Sequence, residues 1–269
     1  MDAFSVATPR FTVGAVLGRG FSIWGKHIVA FTLIALITHG PSLGHALYQA
    51  FAADDLSELI GAATGTGQRL AQLLEIVCSL VSVAALIHAI SQALRGRPVQ
   101  VGASLMEALR RLLPILALVL TIGLVVALFV LIMIPVAMIL RQLAIVVALV
   151  AGLWLLVQLW VAMPALVLEG AGPIESLQRS SSLTLGHRWH ILGIVLLVYG
   201  IPMVVTIGVT LVLMSGSPSV TTLRLGLLLP QTVALVVGGL SATINVVAYH
   251  DLRAAKEGVS VDDIARVFD

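Results

Sequence analysis

Six apolar stretches, each long enough to cross a lipid bilayer, constrain this chain more than any other feature. A helix needs roughly 20 mostly apolar residues to cross the hydrocarbon core. The stretches lie approximately at residues 28–50, 70–94, 112–134, 143–168, 191–214 and 225–249. The sequence therefore predicts an all-α polytopic membrane protein, in which residues 1–269 form a single transmembrane domain of six helices arranged as three hairpins.

The composition supports this prediction, because the chain has too few charged residues to cover a water-facing surface. Hydrophobic residues make up 59% of the chain and charged residues 10%, and the mean hydropathy is +1.09. A soluble globular domain carries about 25% charged residues. The formal net charge of +2 gives no general attraction to nucleic acid, and the single cysteine, Cys78, excludes an intramolecular disulfide.

The segment PVAMILRQ separates the third span from the fourth. A single longer helix is disfavoured there, because Pro135 lacks a backbone donor and Arg141 would lie deep in lipid. We therefore expect the whole segment from Pro135 to Gln142 to form a tight exit from the membrane and re-entry into it.

The basic residues predict the orientation of the spans. An even number of spans places both termini and the 2–3 and 4–5 connections on one side of the membrane. Of the 15 lysines and arginines, three (Arg69, Arg141 and Arg224) lie on the other side, which leaves twelve on the side of the termini. Connections rich in lysine and arginine stay cytoplasmic, so we expect both termini to be cytoplasmic.

The segments that precede spans 1, 3 and 5 share a Leu-x-Arg pattern, which indicates a repeated element. The three pairs are Leu17 and Arg19, Leu109 and Arg111, and Leu177 and Arg179. In the third segment, Gly172 and Pro173 predict the start of a helix and Gly186 predicts its end. We interpret the three segments as interfacial helices on the cytoplasmic side, each leading into a hairpin.

Arginines in these segments are candidates for binding lipid headgroups at the inner leaflet. The candidates are Arg19, Arg111, Arg179 and Arg188. The alternative is that they only set the orientation of the chain.

Polar residues inside the spans are costly in lipid and usually face the helix bundle. His88, Gln158 and Asn245 are the main examples, and interhelical hydrogen bonding is their expected role. His39 and Glu75 lie near the outer ends of the first two spans. No carboxylate is clearly central, which disfavours a proton-coupled transporter.

Two stretches resemble a group of bacterial inner-membrane proteins. They are PALVLEGAGPIESLQRSSSLTLGHRWHILG and AYHDLRAAKEG, and the group comprises the YciC-like proteins and the membrane domain attached to some glycerophosphodiester phosphodiesterases. The resemblance implies a helical bundle in the bacterial inner (plasma) membrane with a role in membrane lipids or envelope maintenance. Nothing outside the spans is long enough to hold the soluble phosphodiesterase domain, so we expect its hydrolytic metal site to be absent.

No catalytic, cofactor-binding or metal-binding motif stands out. His187 and His190 have the i, i+3 spacing of metal ligands, but neither Glu169 nor Glu175 is fixed as a third ligand by the sequence. A capping-box pattern predicts a short terminal helix, Val261 to Phe268, as a surface helix or as a docking peptide. We expect a non-catalytic integral membrane protein without a cofactor, which contributes to membrane lipid organisation or envelope maintenance or acts as the membrane subunit of a partner. Its expected partners are phospholipids, with another membrane protein or a second copy of the chain as further candidates. The alternative is a transporter or flippase of a small amphiphile.

Overall fold

The computed structural model describes residues 11–52, 66–215 and 219–257, and all regular secondary structure in these ranges is helical. A π-helix, Leu196–Gly200, joins the eighth α-helix to the ninth. The predicted terminal helix, Val261 to Phe268, lies outside the described residues. The α-helices are α1 (Val13–Ala52), α2 (Thr66–Leu94), α3 (Val101–Arg110), α4 (Leu112–Leu140), α5 (Gln142–Leu159), α6 (Ala162–Glu169), α7 (Pro173–Thr184), α8 (Arg188–Val195), α9 (Ile201–Met214) and α10 (Val220–Glu257).

Within the described residues, six helical segments are long and apolar enough to cross a membrane, which confirms the predicted fold class. They are α1, α2, α4, α5 with α6, α8 with α9, and α10. Their outer surfaces are apolar: on α4, for example, Leu113, Leu120 and Leu131 are exposed. Exposed leucine at this density is stable in hydrocarbon and would be costly in water, so these are multi-pass membrane helices.

The connection between the third and fourth spans is shorter than predicted. Helix α4 continues through Pro135 to Leu140, and α5 begins at Gln142, so Arg141 alone makes the turn. Its φ of 47° lies in the left-handed region, which is uncommon for a residue other than glycine. A tight turn between the third and fourth spans is confirmed, but its predicted extent from Pro135 to Gln142 is wrong, because one missing donor at a proline does not have to end a helix inside a membrane.

The three predicted interfacial elements take two forms. The second and third are the separate helices α3 and α7. The first is the beginning of α1, which has one residue with non-helical dihedrals, His27 (φ −118°, ψ 18°), just before the first predicted span. Helix α7 starts at Pro173 with Gly172 as its N-cap, and Gly186 follows its end with a φ of +89°, as the sequence predicted.

The buried face of α7 carries hydroxyl groups. Ser176, Ser180 and Thr184 are fully buried, whereas Ile174 and Leu185 at the two ends of the helix are exposed. Small side chains allow close approach of neighbouring helices, and each of these hydroxyls donates to a backbone carbonyl. Helix α7 therefore packs by its serine side and leaves apolar side chains on its surface.

The chain forms two compact units, each built from segments that are distant in sequence. The first consists of the described parts of Met1–Ser22, Arg110–Val195 and Ile244–Asp269. The second consists of the described parts of Ile23–Leu109 and Leu196–Thr243. This division does not test the prediction that residues 1–269 form a single transmembrane domain, so that organisation stays a prediction. The first unit contains the candidate residues Arg19, Arg111, Gln158, Arg179, Arg188 and Asn245, and the second contains His88.

Candidate functional site

The side chain of Asn245 supplies a hydrogen-bond donor at the break between α5 and α6. Pro164 has no N–H, so the carbonyl of Trp160, four residues earlier, cannot receive its usual helical hydrogen bond. The Asn245 Nδ2 of α10 donates to this carbonyl at 2.9 Å. This is the interhelical role expected for a polar residue in a span.

Gln158 contributes to the same break through its backbone. Its carbonyl accepts a hydrogen bond from Ser180 Oγ of α7 at 2.7 Å. Its side-chain Oε1 is buried and has no hydrogen-bond partner among the described residues. The break is thus held by two neighbouring helices.

Glu169, the last residue of α6, is the centre of a charged cluster. Its carboxylate accepts hydrogen bonds from Arg179 Nε at 3.1 and 3.2 Å, from Arg179 Nη2 at 3.1 Å and from the Tyr249 hydroxyl. Arg179 also pairs with Glu257, and Arg253 Nε donates to Glu257 at 2.8 Å. We call these five residues the Glu169 network. It joins α6, α7 and α10.

The Glu169 network is balanced in charge, because two arginines face two carboxylates. Burial disfavours the charged form of Arg179, but the hydrogen bonds to Glu169 and Glu257 outweigh it and raise the pKa of the guanidinium above its usual value. Multiple hydrogen bonds between arginine and carboxylate are stronger than single ion pairs at a surface. The Arg179 guanidinium therefore binds carboxylates of the chain itself.

Arg19 and Arg111 also contact the protein. Arg19 pairs with Asp251 of α10. Arg111 Nη1 donates to the Leu166 carbonyl of α6 at 3.4 Å, near the end of that helix, where a positive charge is favourable. These contacts join helices within the first unit, so the role of the two arginines includes packing.

Arg188 lies in a different setting from the other three candidates. Its guanidinium lies over the Trp154 ring at 4.7 Å from the ring centroid, and its Nε is buried with no hydrogen-bond partner in the described chain. Beside it is a groove of about 360 Å³, which we call the α5–α8 groove. Apart from Arg188, its described lining is apolar or aromatic: Val150, Leu153, Trp154, Val157, Trp189 and Leu192.

His88 lies in the last two turns of α2, and therefore away from the middle of the span. His88 Nδ1 is 3.2 Å from Ser104 Oγ of α3, and its Nε2 is 3.4 Å from Gln92 Nε2. A cavity of about 200 Å³ adjoins these side chains. His88 thus connects a span to the interfacial helix that follows it.

Residues 27–252 match the family described as "Domain of unknown function (DUF7847)". The chain belongs to this family. No curated protein and no solved structure matches it. The DUF7847 description names no activity, so the resemblance to the YciC-like proteins stays a prediction.

The matched range covers much of the candidate site of this DUF7847 chain. It contains the helix break, the α5–α8 groove and His88, and it ends at residue 252, before Arg253 and Glu257 of the Glu169 network. Arg19 also lies outside it.

Sequence reasoning missed most of the Glu169 network. Arg253 and Glu257 have the i, i+4 spacing of a helical ion pair, so this one pair is visible in the sequence. Asp251 pairs with Arg19, which is 232 residues away, and no local pattern indicates that contact. A useful signal was present: the two stretches quoted above for the resemblance contain all five members of the network.

His187 and His190 lie close together, with ring centroids 6.4 Å apart, and both rings contact Phe11. Burial and the nearby His190 and Lys256 lower the pKa of His187, against a backbone hydrogen bond that raises it. The described part of the chain holds no group of three or more histidine, cysteine or acidic side chains placed to bind a metal ion.

Proposed function

We propose that this chain is a non-catalytic membrane protein that binds phospholipid at the cytoplasmic leaflet and so contributes to lipid organisation or envelope maintenance. The observation that carries the proposal is the α5–α8 groove, where the Arg188 guanidinium lies beside an apolar surface. A glycerophospholipid has the complementary form, a phosphate anion next to an acyl chain. Arginine suits this contact because its planar donors match phosphate oxygens.

The aromatic residues of the groove support the same ligand. Trp154 and Trp189 belong to it, and Trp189 is 83% exposed. Tryptophan is enriched at the level of lipid headgroups, where its ring is apolar and its N–H meets water. The volume of about 360 Å³ falls within the range of ~300–1,000 Å³ that is usual for ligand sites.

The proposed location is the inner membrane of a bacterium. The excess of basic residues on the side of the termini favours a cytoplasmic position for Arg188, and the resemblance to the YciC-like proteins favours a bacterial inner membrane. Phospholipid is the proposed partner. A second membrane protein, or a second copy of the chain, would be an alternative occupant of the groove.

Native mass spectrometry of the chain released from lipid nanodiscs tests the proposal. We expect the wild-type chain to retain one anionic phospholipid and Arg188→Gln to retain it about tenfold less, because a hydrogen bond to a charged group contributes ~1.5–3 kcal/mol. Arg110→Gln is the matched control, since Arg110 is exposed and lies outside the groove. Equal retention by Arg188→Gln would contradict the proposal, as would a co-purifying protein in place of lipid.

A second candidate function, transport or flipping of a small amphiphile, is favoured by one observation in the second unit. His39 Nδ1 and Glu75 Oε1 are 2.9 Å apart, and Glu75 Oε2 is buried without a hydrogen-bond partner among the described residues. A cavity of about 100 Å³ adjoins Glu75 and is also lined by Ser42 and Gln72. Ionisable groups inside a span are frequent in proton-coupled carriers.

Proteoliposomes that contain a fluorescent phospholipid test this second function. Transport predicts that the lipid flips faster than in protein-free vesicles, and that Glu75→Gln slows it whereas the exposed Glu175→Gln does not. Equal flipping with and without the protein would argue against it.

A further inference from the structure

The junction of α2 and α3 encloses a cavity that the proposed lipid groove does not use. Its volume is about 200 Å³, and five of the residues that line it have polar side chains. They are His88, Gln92, Arg97, Gln100 and Ser104. All five belong to the second unit and lie in or beside the connection between spans 2 and 3.

Hydrogen bonds hold part of this lining in one arrangement. The Ser104 hydroxyl donates its hydrogen to the Gln100 carbonyl at 2.9 Å. Its contact with His88 therefore requires the His88 Nδ1–H to donate to Ser104 Oγ, which leaves His88 Nε2 to accept from Gln92 Nε2. A side-chain amide nitrogen carries two hydrogens, so Gln92 has a second donor to offer.

The charge of the lining is positive. Arg97 contributes a guanidinium and is exposed, so the cavity is open to solvent or to the membrane surface on that side. Among the described residues that line the cavity none is acidic, and Glu107 on α3 is not part of the lining. A site with one cation and several neutral donors, without a carboxylate, is complementary to an anion.

We propose that this cavity binds a phosphate group. At ~30 Å³ for each water molecule, about 200 Å³ holds roughly six waters, so a phosphate group fits with solvent remaining. Its oxygens accept from the Arg97 guanidinium and from the side-chain amides of Gln92 and Gln100. The phosphate belongs either to a small water-soluble anion or to the headgroup of a lipid.

Two probes distinguish these sources, and both use the full chain. Isothermal titration of the detergent-solubilised protein with inorganic phosphate tests the soluble anion. Native mass spectrometry from nanodiscs of phosphatidylglycerol tests the headgroup. Each probe is applied to the wild type, to Arg97→Gln and to Arg95→Gln, the matched control, since Arg95 is an exposed arginine two residues away that does not line the cavity.

We expect Arg97→Gln to weaken binding of at least one probe about tenfold to a hundredfold and Arg95→Gln to leave it unchanged. The probe that responds identifies the source of the phosphate. Failure of both probes to bind, or an equal loss in the two variants, would overturn the proposal. Arg188→Gln should not affect this binding, so the result is separate from that for the α5–α8 groove.

Discussion

Replacing Asn245 by alanine removes the side chain that pairs with the Trp160 carbonyl at the break between α5 and α6. The lost hydrogen bond is 2.9 Å long, and Pro164 cannot supply a substitute donor. A buried acceptor left unpaired costs ~1–3 kcal/mol, whereas interhelical hydrogen bonds in membranes average ~0.6 kcal/mol. We expect Asn245→Ala to lower the free energy of unfolding by about 1 kcal/mol, because Pro164 leaves the carbonyl without its usual helical donor.

A second substitution tests that reason. Pro164→Ala supplies an N–H four residues after Trp160, so it should offset part of the loss caused by Asn245→Ala, with an interaction energy of roughly 0.5–1 kcal/mol. The assay is chemical unfolding in detergent micelles, followed by circular dichroism. Ser241→Ala on α10 is the control, because its hydroxyl bonds within its own helix, to the Gly238 carbonyl. Simple additivity of the two main substitutions would refute the reasoning.

Two further predictions concern packing and pH. A Cβ at Gly20 would lie 2.6 Å from Ile244 Cγ1, whereas nothing lies within 4 Å of a Cβ at Gly18. Thermal unfolding should therefore show that Gly20→Ala lowers the free energy of unfolding by about 1–3 kcal/mol, whereas Gly18→Ala leaves it unchanged or raises it by up to ~1 kcal/mol. Equal changes in the two variants would contradict the contact between Gly20 and Ile244. His187 has a folded-state pKa below its unfolded value of about 6.5, so neutral His187 contributes stability above that pH and the contribution is lost as the pH falls. Between pH 7.5 and 5.5, wild type should lose more thermal stability than His187→Gln, and identical losses would count against this assignment.

The spans were predictable because their signal is local and physical. Hydrocarbon thickness sets a minimum length of apolar helix whatever the tertiary structure is, and each predicted stretch overlaps one of the six observed spans. The bounds of α7 were predictable for a similar reason. The proline at its first position and the glycine after its end act on the backbone directly.

The turn at Arg141 was not predictable from these rules. Whether Pro135 ends a helix depends on how the released carbonyl is satisfied, and this is a property of the surroundings. In the same way, the carbonyl that loses its helical donor at Pro164 is satisfied by Asn245, which is 81 residues from Pro164 in the sequence.

The partners of the candidate arginines could not be predicted from the sequence. Its pattern placed Arg19, Arg179 and Arg188 on one side of the membrane, and this made them equivalent candidates. The structure separates them, because Arg19 and Arg179 meet carboxylates from α10 or α6, whereas Arg188 lies over an aromatic ring beside an apolar groove. Such differences arise from contacts between segments that are distant in the sequence, and these contacts could not be predicted from the sequence alone.

The central claim, a phospholipid in the α5–α8 groove, is tested most directly by electron cryo-microscopy of the chain in nanodiscs that contain anionic phospholipid. The account predicts elongated density along Val150, Leu153 and Leu192, ending in headgroup density within hydrogen-bond distance of the Arg188 guanidinium. A groove filled by protein side chains or by a second copy of the chain, with no headgroup at Arg188, would contradict it.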